Sequence, residues 1–296
     1  MEQWDIEQVE QLTLRESIRR HFVARPLLFS IACFLAVAIG RFLFIFVIVT
    51  VSWFGNALNS LVSPTGILIR FFNLDFFFRY LFSIPAIVLI GIAAQKKGFA
   101  FVFSLKGFGK GLLATSPLWA LTFIIALSII TTYDLSMDFA NTLPVAIFNE
   151  FARGLWEEVL FRGILMTAVL VGMSRTWDKN LKMRLVFIIV CGAFFGFIHF
   201  PTTWYLALFF CSVGIILCAT YAYSKNLLSC ILWHAVGNAI IYFLRNSTIP
   251  ALTTDFMHSM HTMHMAILVS ICIIGLALAI FLSVKAEPFE VKNENI

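Results

Sequence analysis

Residues 144–173 read PVAIFNEFARGLWEEVLFRGILMTAVLVGM. The run is long enough to cross a hydrocarbon core of about 30 Å, yet it carries Glu150, Arg153, Glu157, Glu158 and Arg162 near its middle. A charge at a bilayer centre costs roughly 2.5–3.5 kcal/mol on insertion scales, so such residues are rare and point to function or to pairing. At about 100° per residue, Arg153 and Glu157 fall about 40° apart on a helix, as do Glu158 and Arg162. The adjacent glutamates are about 100° apart and face different neighbours. This spacing predicts two jobs, with one carboxylate held in a structural pair and the other aimed at a cavity. The plainer reading is that buried Glu–Arg pairs fix helix register and do nothing else.

The apolar character extends along the whole chain. Of 296 residues, 60% are hydrophobic and 12% charged, against about a quarter charged in an ordinary soluble domain. Apolar runs recur over about 27–52, 76–94, 111–131, 143–173, 183–200, 203–223, 226–245 and 264–284. This pattern excludes a soluble globular enzyme, a disordered chain and a fibrous repeat. It predicts an all-α, polytopic membrane helix bundle with about eight transmembrane helices. Basic residues such as Arg15, Arg20, Lys96, Lys110, Arg175, Lys182, Lys225 and Lys285 fall in segments predicted on one side, whereas the alternate side holds Arg70, Arg79 and Arg245. That asymmetry predicts both termini in the cytoplasm. The net charge of +5 therefore belongs with membrane ends and anionic lipid heads, not with nucleic acid. All six cysteines lie within apolar runs, where a thiol is a small apolar side chain rather than part of a disulfide framework.

Two further runs carry polar residues that burial does not require. Segment 183–200 ends in FFGFIHF, with Phe195 and His199 four apart on one face, and 227–240 reads LLSCILWHAVGNAI, with His234 and Asn238 likewise four apart. An unpaired buried polar group costs about 1–3 kcal/mol, so each of these needs a partner or a water. A carboxylate and an imidazole beside a water can remove its proton and make a nucleophile. A second imidazole and a carboxamide are donors toward an oxyanion. Glu157, His199, His234 and Asn238 thus contain the parts needed to hydrolyse an amide without a serine or cysteine nucleophile. The same set admits a metal reading, since Glu157, His199 and His234 are acceptable zinc ligands with water in the fourth position. No HExxH helix occurs to force convergence on one ion.

EEVLFR (Glu157, Glu158, Arg162) resembles an EExxxR motif, FGFIH (Phe195, His199) an FxxxH motif and HAVGN (His234, Asn238) an HxxxN motif. In this order on separate membrane helices they resemble the CPBP (Abi) family of intramembrane proteases, which includes CAAX prenyl endopeptidases and proteins tied to bacteriocin self-immunity. The resemblance covers roughly 145–245. It implies a membrane-embedded peptidase in which Glu157 and His199 activate water and His234 and Asn238 shape the oxyanion site. It also implies that Glu158 and Arg162 support the architecture. Members have been described both as metalloproteases and as metal-independent glutamate proteases, so the resemblance leaves zinc open. The expected substrate is a hydrophobic or lipidated peptide or protein.

The chain then divides into a cytoplasmic amphipathic segment 1–26, N-terminal transmembrane helices 27–140 and a CPBP-type catalytic core 141–245. A His/Met-rich outer loop, last transmembrane helix and cytoplasmic tail follow over 246–296. In that loop DFMHSMHTMHM places His258, His261 and His264 among methionines, a ligand set suited to copper(I) or zinc; the alternative is an interfacial loop of chance composition. Two rival functions fit the charges. A proton-coupled transporter would use Glu157 and His199 as a proton path, although the sequence holds no internal repeat or matched broken helices. A non-catalytic membrane scaffold or bacteriocin-immunity factor would use the same residues only for architecture.

Overall fold

The computed structural model describes residues 105, 107–132, 139–167, 181–199, 201, 204–246, 269–270 and 272–287, with scattered positions between 17 and 46. The described residues are helical, with no strand among them. In chain order the helices are α1 (Phe108–Thr132), α2 (Phe139–Glu158), α3 (Leu181–Phe197), α4 (Trp204–Ser224) and α5 (Leu227–Asn246). A final helix, α6, covers Cys272–Lys285. Helix α2 runs directly into a π-helical segment, Val159–Met166. Described helices thus coincide with six of the apolar runs; 76–94 lies outside the described residues and 27–52 is described only at isolated positions. The amphipathic segment 1–26 and the His258, His261, His264 loop also lie outside them, apart from Ser17 and Arg25.

Ala207–Ser224, within α4, is long and apolar enough to cross a membrane by length and composition, and shorter apolar stretches cover Leu227–Ile240 and Cys272–Lys285. Helix α2 carries four charged residues, Glu150, Arg153, Glu157 and Glu158, in its C-terminal half. The bundle is apolar on the outside and charged within. Phe123, Phe148, Val190, Phe197, Ile273 and Phe281 are exposed, whereas Glu150, Glu158 and Arg162 are buried. In water such a surface would be an association or aggregation face; against lipid tails it needs no cover.

Two pairings organise the bundle. Helix α2 packs along α5 and α3 along α4, while α1 lies against α4 and α5. The pairs are joined by a tight corner. Lys225 has φ 52°, and its N–H closes α4 on the Tyr221 carbonyl at 2.8 Å, a left-handed helix stop. Asn226 then accepts from the Ser229 N–H at 3.1 Å through Oδ1, an N-cap for α5. Gly107 seats the start of α1 on this corner. It has φ +87°, and a Cβ there would run into the Ser224 carbonyl.

Arg184, at the start of α3, is buried and donates from Nη1 to the carbonyls of Ser283 (2.9 Å) and Ala286 (3.0 Å). It satisfies carbonyls at the C-terminal end of α6 that the helix itself leaves open. The described cysteines Cys191, Cys211, Cys218, Cys230 and Cys272 are free thiols.

Candidate active site

Close helix approach comes first, because the site depends on it. Gly154 of α2 sits where a Cβ would lie 3.2 Å from the Ile231 carbonyl oxygen and 3.1 Å from the Ala235 nitrogen of α5. Backbone contact at that level sets Glu158, one turn on, opposite His234. Gly192 and Gly214 bring α3 and α4 together in the same way, and a Cβ at Gly214 would collide with the Gly192 carbonyl. Small residues at membrane-helix crossings permit this approach.

The two glutamates then diverge as their spacing predicts. Glu158 and Arg162 are completely buried and paired at 2.9 Å through Arg162 Nη1 and Glu158 Oε1. The pair straddles the change from α- to π-helix, a local widening that recurs at functional sites. Arg162 Nη2 also donates to the Gly214 carbonyl at 3.2 Å, and the guanidinium carbon lies 4.1 Å from the centre of the Phe195 ring. The π segment is tied down at its far end, where the Thr167 and Tyr221 hydroxyls are hydrogen-bonded at 2.6 Å.

Glu157 is 20% exposed and points to two imidazoles. Its Oε2 lies 3.4 Å from Nε2 of His199 and 3.4 Å from Nε2 of His234. The far nitrogen of each ring is already committed. His199 Nδ1 lies 2.7 Å from the Phe195 carbonyl oxygen, which can only accept, so Nδ1 carries the hydrogen. His234 Nδ1 lies 2.8 Å from Glu158 Oε1, the oxygen that also accepts from Arg162. With Glu158 ionised beside Arg162, this Nδ1 is again the donor. In the neutral rings both Nε2 atoms therefore present lone pairs toward a carboxylate oxygen. Glu157 Oε2 is a buried atom with no aligned hydrogen-bond partner among the described residues. One added proton, or a water supplying hydrogens, completes this arrangement.

Aromatic rings fix the imidazoles. Phe195 is buried, with its centroid 4.6 Å from the His199 ring and 5.8 Å, edge to face, from His234. Phe210 of α4 stacks on His199 at 4.9 Å with 21° between planes. Phe161 packs edge-on against Phe195 at 5.2 Å and against Phe34 at 5.7 Å.

Glu157, Glu158, Arg162, His199 and His234 are thus joined by direct contacts. Asn238 is not: it lies one turn beyond His234 on α5, partly buried, and its carboxamide makes no hydrogen bond to another described residue. Arg153, on the same side of α2 as Glu157, pairs instead with Glu150 at 3.2 Å. Two imidazole nitrogens and a carboxylate oxygen are zinc-type donors; among the described residues no group of three or more His, Cys, Asp or Glu side chains has the arrangement of a metal site.

An all-helical bundle with apolar exterior, a carboxylate between two imidazoles and a sealed Glu–Arg pair defines a candidate intramembrane hydrolase site. Residues 139–240 match the family model described as Type II CAAX prenyl endopeptidase Rce1-like, which is the CPBP group that the three motifs resemble. The match spans 102 of the 296 residues. The family consists of membrane-embedded proteases acting on prenylated proteins, and the match does not support a metalloprotease assignment. No curated protein and no solved structure matches the chain.

Sequence reasoning missed Phe210, which lies on α4, whose apolar run carried no charge or imidazole to mark it. Its spacing of four from Gly214 was a usable signal, since it puts an aromatic and a small residue on one helix face.

Proposed function

We propose that the protein is an intramembrane endopeptidase that hydrolyses a peptide bond in a hydrophobic or lipidated peptide or protein. The observation that carries this reading is Glu157 Oε2, set 3.4 Å from two Nε2 atoms whose rings are anchored on their far sides. A water held between Glu157 and His199 gives its proton to the Glu157 carboxylate as its oxygen bonds to the substrate carbonyl carbon. The carbonyl electron pair moves onto oxygen. His234, protonated on both nitrogens, donates from Nδ1 to Glu158 and from Nε2 to that oxyanion, with the Asn238 carboxamide as second donor. The C–N bond then breaks, and the proton on Glu157 passes to the leaving amine. With that proton on His234, Glu157, Glu158, Arg162 and His234 sum to zero charge, which suits a low-dielectric interior. His199 orients the water, and Glu158 with Arg162 positions His234.

The membrane-embedded family supports a lipidated, prenylated substrate. We assign the chain eight spans with both termini cytoplasmic, on its basic-residue asymmetry; protease protection of terminal tags in sealed vesicles that placed them on opposite sides would overturn this. The function is tested by cleavage of a quenched fluorescent prenylated peptide by purified protein, against Glu157→Ala and His199→Ala. Activity lost in both variants while the fold persists is the expected result. Persistence in a zinc chelator supports the metal-free route, and loss that added zinc restores would overturn it. A folded wild type that cleaves nothing in a broad peptide panel would turn attention to a scaffold or a proton-coupled transporter.

A further inference from the structure

The reaction above leaves one charged group beside the site without a task. Arg153 sits one turn before Glu157 on α2, and its side chain is 42% exposed, whereas its partner Glu150 is 1% exposed. The two touch through a single Nη1–Oε2 contact of 3.2 Å. A guanidinium has five N–H donors in a planar fork, so one contact to a buried carboxylate anchors the group and leaves donors facing outward. Near an apolar medium such a half-open cation is costly unless an anion meets it. Glu157 lies within electrostatic range of Arg153, but its Oε2 is turned to His199 and His234 and makes no direct contact with the guanidinium.

We propose that Arg153 is a specificity-determining residue that receives the free C-terminal carboxylate of the substrate, an inference that rests on the peptidase reading of the site. A planar fork matches a carboxylate bidentately, with orientation as well as affinity. Four residues of α-helix separate Arg153 from Glu157 by about 6 Å along the axis, and side chains on a helix lean toward its N-terminus. An extended peptide advances about 3.3–3.6 Å per residue. A carboxylate seated on Arg153 therefore places the bond at Glu157 about two residues from the chain end. Glu150 is the positioning group that holds the fork open toward the substrate.

The test uses full-length purified protein and two prenylated quenched peptides that differ only in ending as a free acid or as a carboxamide. Wild type is expected to cleave the acid with a KM about tenfold lower, the size expected for one charge-assisted contact. Arg153→Gln is expected to cleave acid and amide with the same KM, and Arg153→Lys, which keeps the charge but not the fork, to fall between. Equal KM values in wild type, or a loss in Arg153→Gln that is the same for both peptides, overturns the assignment while leaving the peptidase reading intact. If neither peptide is cleaved by folded wild type, both fail together. If Arg153→Gln does not fold, Arg153→Lys carries the test: a KM for the free acid unchanged from wild type overturns the assignment, and one shifted toward the amide value supports it.

Discussion

Glu157 and Glu158 are neighbours in the chain and opposites in their surroundings. Glu158 is sealed, salt-bridged to Arg162 and hydrogen-bonded to His234 through Oε1, while Glu157 keeps a fifth of its side chain accessible. A single residue step around a helix separates the two environments. A buried, salt-bridged charge inside the bundle is architecture, and an accessible one beside it is where chemistry is available.

The largest effect should come from the open half. Glu157→Gln is expected to lower peptide cleavage by roughly 10²–10⁴-fold, the range for losing a general base, while thermal unfolding in detergent is little changed. A large drop in thermal stability would show that Glu157 belongs to the architecture after all. In the sealed half, Arg162→Met should cost about 3–5 kcal/mol, because it strands the buried Glu158 carboxylate. Glu158→Leu combined with Arg162→Met should recover much of that stability without recovering activity, since His234 then loses its Nδ1 partner. A double variant as unstable as the single one would refute the pairing.

Smaller effects probe the walls between the halves. Gly214→Val should separate α3 from α4 and cost about 1–3 kcal/mol by overpacking, read as a shift in unfolding. Phe210→Leu should leave stability nearly unchanged but lower cleavage severalfold by loosening the stacked His199 ring, since such ring pairs are worth about 0.5–1.5 kcal/mol. Unaltered kcat/KM would mean that Phe195 and its carbonyl suffice to hold the imidazole.

Much of the sealed half was legible in the sequence, because the Glu158–Arg162 bond is local and four-residue spacing fixes it. That His199 and His234 share a face with Phe195 and Asn238 respectively was legible for the same reason. What spacing does not carry is which helix faces meet. The convergence of Glu157, His199 and His234 depends on crossings at Gly154, Gly192 and Gly214, which look like ordinary glycines in an apolar run. Arg153 turned to Glu150 rather than to Glu157 because three- and four-residue neighbours on a helix compete on nearly equal terms. The π-helical segment was invisible for a related reason: VLFRGILM has an unremarkable apolar pattern, and the contacts that Arg162 and Thr167 make with Gly214 and Tyr221 of α4 cannot be read from it.

The Ser224–Asn226 corner has a consequence for how such a chain is made. It joins two helix pairs, and the reacting groups are divided between them. Glu157, Glu158, Arg162 and His234 ride on α2 with its π extension and on α5, while Phe195, His199, Phe210 and Gly214 belong to α3, its C-terminal end and α4. Neither pair alone holds both of the imidazoles that face Glu157. On the proposed peptidase reading, a nascent chain whose two pairs have not yet docked possesses every reacting side chain but not the assembled set of Glu157, His199 and His234.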